Sequence, residues 1–276
     1  MAKHKVFKDP KTGLSLRIPS PPPLVDELER ALGNPNTNMD IIAGLVQQDA
    51  GITAGLFRTL ATPIYGLRKP PETVARAVSL VGLQTIADLV GGLSIQAALY
   101  GESLFYPWFW ERANEIARYA AAIAHRQRMV CNIFPEHAHL AALFVDCGVP
   151  ILIQHLEQYE YPFITARGHV WPHVVAEDQR HNTDHAVVGY LAAKHWRLPG
   201  YVCEAIRWHH DPVNVNDKAA TMVAILQTAI HLYNVNAMKE DHDWPGLRRK
   251  ALAEIGVAEE GLREFEDDLN ERLAAH

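Results

Sequence analysis

The chain has 276 residues, 48% of them hydrophobic, enough to bury a core as one domain or two small ones. Its net charge of −6, with no long Lys/Arg run, leaves no electrostatic footprint for nucleic acid. Membrane partners are not expected either: apolar stretches such as residues 86–99 look too short and too polar to span a bilayer, and MAKHKVFKDPKTG lacks the apolar centre of a signal peptide. Three scattered cysteines, Cys131, Cys147 and Cys203, form neither a CxxC pair nor a disulfide framework, which points to reduced thiols and a cytoplasmic location.

Apolar residues recur close to every 3.6 positions almost throughout, so the expected fold class is all-α, a multi-helix bundle. A tail runs over residues 1–14, followed by LRIPSPPP, which successive prolines hold extended. Pro23 opens a first helix, PLVDELERAL. Asn38 caps MDIIAGLVQQ, Asp49 precedes GITAGLFRTLA, and ETVARAVSLVG and QTIADLVGGLSIQAALY follow, giving an N-terminal five-helix cluster over residues 15–100. A second helical half, residues 101–235, begins with a long helix over 105–127 carrying Phe109, Ala113, Ile116, Ala120 and Ile123 on one face. The aromatic run FYPWFWERA reads as its packed start, with a partner-binding patch as the alternative. HAHLAALFVDCG is expected to end at Gly148, PILIQHLEQYE near Pro162, and residues 165–180 to form a loop with a short helix. Asn182 or Thr183 then caps DHAVVGYLAAKHW, LPG turns the chain, YVCEAIRWHH runs to Pro212, and AATMVAILQTAIHLY closes this half. Residues 236–276 read as a C-terminal amphipathic helical tail, a surface helix or a partner helix that covers or extends the bundle.

Fifteen histidines are many for this length, but His4, His173, His242 and His276 stand alone and read as incidental. The tandem His209-His210, beside Asp211 in IRWHHDP, is different. Two blocks carry a resemblance: IPSPPPLVDELERALGNPNTNMDIIAGLVQQDAGITAGLFRTLATPIYG with ETVARAVSLVGLQTI, and DHAVVGYLAAKHWRLPGYVCEAIRWHHDP. In order and spacing the chain resembles the HDOD domain from about residue 15 to 235, departing from it at Ala61-Thr62 and at Asp49-Ala50. The resemblance implies an all-helical relative of the HD-type metal phosphohydrolases, a group whose HDOD members have generally lost metal ligands and occur in bacterial signalling proteins.

An HD-type hydrolase surrounds one or two divalent ions with several His and Asp side chains and keeps a position open for water and substrate. Carried over by the resemblance, the first histidine of that site is Arg112 here, the His-Asp pair is Val145-Asp146, and the closing aspartate is Ile230. His185, His209 and His210 are retained. Helical spacing turns His185 to the side of Val188, Leu191 and Ala192, and His209 to that of Val202, Ala205 and Ile206. The expected state is therefore a degenerate pocket of Arg112, Asp146, His185, His209 and His210, with no catalytic residue, no metal and no cofactor. Asp146 would pair there with His185 or Arg112. The alternatives are a divalent metal on Asp146, His185, His209 and His210, serving a residual phosphohydrolase, and an anionic nucleotide sensed at Arg112. Function is expected to lie in protein contacts within a signalling pathway.

Overall fold

The computed structural model describes residues 5–8, 15–62, 65, 67–99, 105–156, 159, 171–211, 215 and 217–274. The all-α expectation holds, with one addition. Lys5–Lys8 (β1) pairs antiparallel with Ser15–Ile18 (β2), so part of the supposed tail is a two-stranded ribbon. Leu16 and Ile18 are buried, the Arg17 N–H donates to His155 Nε2 at 3.0 Å, and the Trp196 indole donates to the Pro19 carbonyl at 2.9 Å. The proline-rich entry is thereby tied to the second half of the chain before the first helix begins.

Five helices follow: Pro23–Leu32 (α1), Met39–Val46 (α2), Ala50–Ala61 (α3), Val74–Val81 (α4) and Leu83–Ala98 (α5). Their starts are set locally. Pro23 occupies the first turn of α1, where a missing N–H costs nothing; Asn38 accepts from the Asp40 and Ile41 amides; Asp49 and Thr73 cap α3 and α4 the same way. The five share a core of their own, built on Leu28, Ile42, Val46, Leu56, Leu60, Val74, Ile86 and Val90. Asn38→Ala, which removes two amide partners at an exposed position, is expected to cost about 1 kcal/mol in urea unfolding.

The second core is larger. It gathers Phe105–Arg126 (α6), Arg128–Cys131 (α7), Pro135–Leu143 (α8), Gly148–His155 (α9), His185–His195 (α11), Gly200–Trp208 (α12) and Asp217–Asn236 (α13), while Val174–His181 (α10) buries only Glu177. Phe105, Tyr106, Phe109 and Trp110 are all buried in it, so the aromatic run is packing. Trp244–Glu254 (α14) and Leu262–Ala274 (α15) complete the chain. The amphipathic tail covers the bundle. Trp244, Leu252, Ile255, Phe265 and Leu269 are buried in the same core, and α15 is fastened to α6 by Tyr119–Asn270 and Arg126–Asp268 contacts at 2.9 and 2.8 Å.

Three smaller expectations also change. Gly148 does not end a helix but opens α9, after a turn over residues 144–147. Asn182 adopts φ 54° and ends α10 in the left-handed conformation, and Asp184, not Asn182 or Thr183, caps α11 by accepting from the Val187 amide. Finally, residues 135–155, contrary to the expectation for the apolar stretches, are long and apolar enough to cross a membrane, and most of them are buried inside the protein. Pro162, read as the end of PILIQHLEQYE, and the first part of the 165–180 loop lie outside the described residues.

Candidate functional site

The turn between α8 and α9 carries Asp146, the first turn of α11 carries His185, and the end of α12 carries His209 and His210. Close helix approach brings them together. A Cβ on Gly148 would lie 2.0 Å from the His185 carbonyl oxygen and 2.8 Å from the Gly189 amide nitrogen; one on Gly189 would lie 2.9 Å from Ile206 Cγ2. Only residues without a side chain let α9 and α11 touch backbone to backbone, and that contact sets His185 over Asp146.

Every pocket residue anticipated from sequence is present in this cluster. Arg112 reaches in from α6 and donates from Nη1 to Asp146 Oδ2 at 2.5 Å. The other carboxylate oxygen, Oδ1, stands 3.3 Å from His185 Nε2 and 3.4 Å from His209 Nε2. Asp146 thus pairs with both candidates, not one. One ligand atom from each of Asp146, His185, His209 and His210 lies within 4.8 Å of the other three. Arg112, Asp146, His185 and His209 are each 3% exposed or less. The Arg112 guanidinium also lies 3.6 Å from the centre of the Trp171 ring, which caps it. Val145 is buried among apolar neighbours, and Ile230 packs against the same core, so neither contributes a donor.

The sequence reading missed three residues that complete the arrangement. Glu177, from α10, accepts from His185 Nδ1 at 2.6 Å and from the His185 backbone amide at 3.0 Å; Tyr159 donates to its second oxygen. Asp243, not Ile230, is the carboxylate facing the tandem pair: its Oδ2 lies 2.6 Å from His210 Nδ1 and its Oδ1 3.2 Å from His173 Nε2. His173, read as incidental, therefore belongs to the periphery of the site. No spacing rule links residues 177 or 243 to their histidines, because both contacts are made through tertiary packing.

The electrostatics follow from burial and these partners. Burial pushes Asp146 up, but the Arg112 charge and the two imidazoles outweigh it and hold the carboxyl well below the usual range. Burial alone would lower His185; Glu177 and Asp146 reverse this and raise it to about 10. His210 is lowered to about 4, by burial first and then by the charge of His209. Burial raises Glu177, yet His185 and Tyr159 bring it down to about 2. Glu177 and Asp146 thus favour the protonated form of His185, whose Nε2 lies 3.0 Å from His210 Nε2. Cys147 is buried beside Asp146, and burial raises its thiol well above the ordinary value, which makes it an inert core residue as expected.

The donor set fits a single divalent cation. Nδ1 of His185, His209 and His210 each faces an acceptor, Glu177, the Ile206 carbonyl at 2.8 Å, and Asp243 respectively, so all three Nε2 atoms are directed inward. Two of the inward atoms, Asp146 Oδ1 and His209 Nε2, are buried without a well-formed hydrogen bond, although the ion-pair distances to Asp146 are short enough. The angles fail, and buried polar atoms left in that state are costly. Three imidazoles and one carboxylate would satisfy a tetrahedral ion such as zinc, with Glu177 and Asp243 orienting the rings. A second ion finds no ligand at Val145 and a fixed positive charge at Arg112.

Comparison with known proteins bears on the fold and the family. The sequence pattern of the HDOD domain matches residues 18–212. An HDOD domain protein with unknown function from Geobacter sulfurreducens superposes with a TM-score of 0.58 at 21% identity, covering 92% of this chain and 93% of that one. A protein from Shewanella amazonensis SB2B, provisionally described as a metal-dependent phosphohydrolase, gives 0.67 at 14% identity over 94% and 93% of the two chains. Among curated proteins, an uncharacterised protein of Treponema pallidum (strain Nichols) is 24% identical over 202 residues, which is 70% of this chain but 38% of the length of that relative. On a match that spans both helical halves and all four donor positions, the chain belongs to the HDOD domain family.

Proposed function

We propose that this protein is a non-catalytic signal-transduction module working through protein contacts, with no phosphohydrolase activity. Its buried His/Asp centre joins the helices and takes one divalent cation with a structural role. The observation that carries this reading is the closure around Asp146. Arg112 holds one carboxylate oxygen under the Trp171 ring, the His185 and His209 imidazoles stand against the other, and a His210 ring nitrogen completes the cluster within 4.8 Å. A catalytic ion keeps a position open to water and substrate, whereas four protein donors close the shell. A net charge of −6 supports protein rather than nucleic-acid partners.

A metal-dependent phosphohydrolase is the second reading, favoured by the donor cluster and by the description given to the Shewanella amazonensis protein. Nucleotide sensing at Arg112 has less support, since that guanidinium is buried and already matched by Asp146.

Untagged protein should bind about one zinc or manganese ion per chain, as read by elemental analysis after dialysis. Binding must expel the proton held by His185, whose pKa stands near 10, so apparent affinity should rise about tenfold per pH unit between pH 6 and 8. Loaded protein should leave bis-p-nitrophenyl phosphate and cyclic dinucleotides intact. Hydrolysis that a chelator stops and His209→Ala abolishes would replace the first reading with the second.

A further inference from the structure

An imidazole can offer Nε2 to a cation only while its other nitrogen keeps the proton, and an acceptor beside Nδ1 is what keeps it there. His185 and His209 obtain their acceptors, Glu177 and the Ile206 carbonyl, from within the stretch that matches the HDOD pattern. His210 does not. Its acceptor, Asp243 Oδ2 at 2.6 Å, lies beyond residue 212, at the start of α14.

That start is firmly placed. The His231 ring stacks on Trp244 at 4.1 Å with 9° between planes, and Asp241 accepts from the Trp244 amide at 3.1 Å and meets His231 Nδ1 at 3.2 Å. Trp244 is buried, and Leu252 and Ile255 continue the anchor along α14. Asp243 occupies the cap position of α14 yet makes no side-chain cap hydrogen bond. Its carboxylate is instead directed at His210 and His173.

We infer that Asp243 is a positioning residue that sets the tautomer of His210, so that the C-terminal segment outside the family-matched region completes the cation site. The inference rests on the reading of Asp146, His185, His209 and His210 as that site. Without Asp243, His210 Nδ1 loses the acceptor that stands 2.6 Å away, and a proton on Nε2 would close that nitrogen to a cation.

The test uses the full chain and Co²⁺ alone as probe, with wild type, Asp243→Ala, Asp243→Glu and His173→Gln. Two readouts are taken: the Co²⁺ dissociation constant from its d–d absorption, and the His210 tautomer in the metal-free protein from long-range ¹⁵N–¹H imidazole spectra. Asp243→Ala should weaken Co²⁺ about 10- to 100-fold and move His210 away from the Nδ1–H form. Asp243→Glu should recover most of the affinity, and His173→Gln should leave it unchanged. Co²⁺ binding within about threefold of wild type in Asp243→Ala, or an unaltered His210 tautomer, overturns the inference. If wild type itself fails to bind Co²⁺, the cation reading falls, and the tautomer spectra alone decide the role of Asp243.

Discussion

Asp146→Ala, measured in the presence of chelator, is expected to lower unfolding free energy by about 3–5 kcal/mol. For a chain of this size that is a drop on the order of 10 °C in Tm. The substitution removes the partner of a guanidinium that is 3% exposed and leaves a buried positive charge beside the imidazolium of His185. The loss measures that orphaned charge more than any intrinsic worth of the pair, because desolvating both ions costs nearly what their attraction returns. The double variant Arg112→Met/Asp146→Leu should therefore recover most of the loss while binding no cation. A single variant within 1 kcal/mol of wild type would mean that Arg112 is not held by Asp146.

Gly148→Ala should be comparably severe for a different reason. Its methyl group would stand 2.0 Å from the His185 carbonyl oxygen, and the obstacle is backbone, which cannot rotate away. The α9–α11 crossing must open, at a cost of about 3 kcal/mol or more, and His185 moves off Asp146 with it. Cation binding should fall together with stability. Gly246→Ala on α14 serves as the comparison: nothing lies within 4 Å of the new methyl, so the gain in helix propensity should leave stability unchanged or raised by up to about 1 kcal/mol in urea titrations. If both variants behave alike, close packing at Gly148 is not what seats His185.

Much of the fold was legible because its signals are local. A proline in the first turn of α1, the caps Asn38 and Asp49, and the apolar stripe along α6 act over one to four residues, and the helices begin where those signals stand. Signals shared between neighbouring elements misled. Gly148 looked like a helix stop and is a crossing point; Asn182 looked like an N-cap and ends the preceding helix.

The site divides along the same line. The resemblance to the HDOD domain, read from motif order, implied that Arg112, Asp146, His185, His209 and His210 share one pocket, and helical periodicity independently turned His185 and His209 inward. Only the tertiary structure decided what the pocket is: that Asp146 presents one oxygen to Arg112 and the other to the histidines, and that Glu177 and Asp243 orient two of the rings. Those carboxylates lie 8 and 33 residues from the histidines they hold, with no period connecting them, so sequence separation carries no trace of the contact. A substituted ligand set looked like a site that had lost its metal. The directions of the remaining nitrogens, which depend on what stands behind each imidazole, describe a centre with four donors still converging.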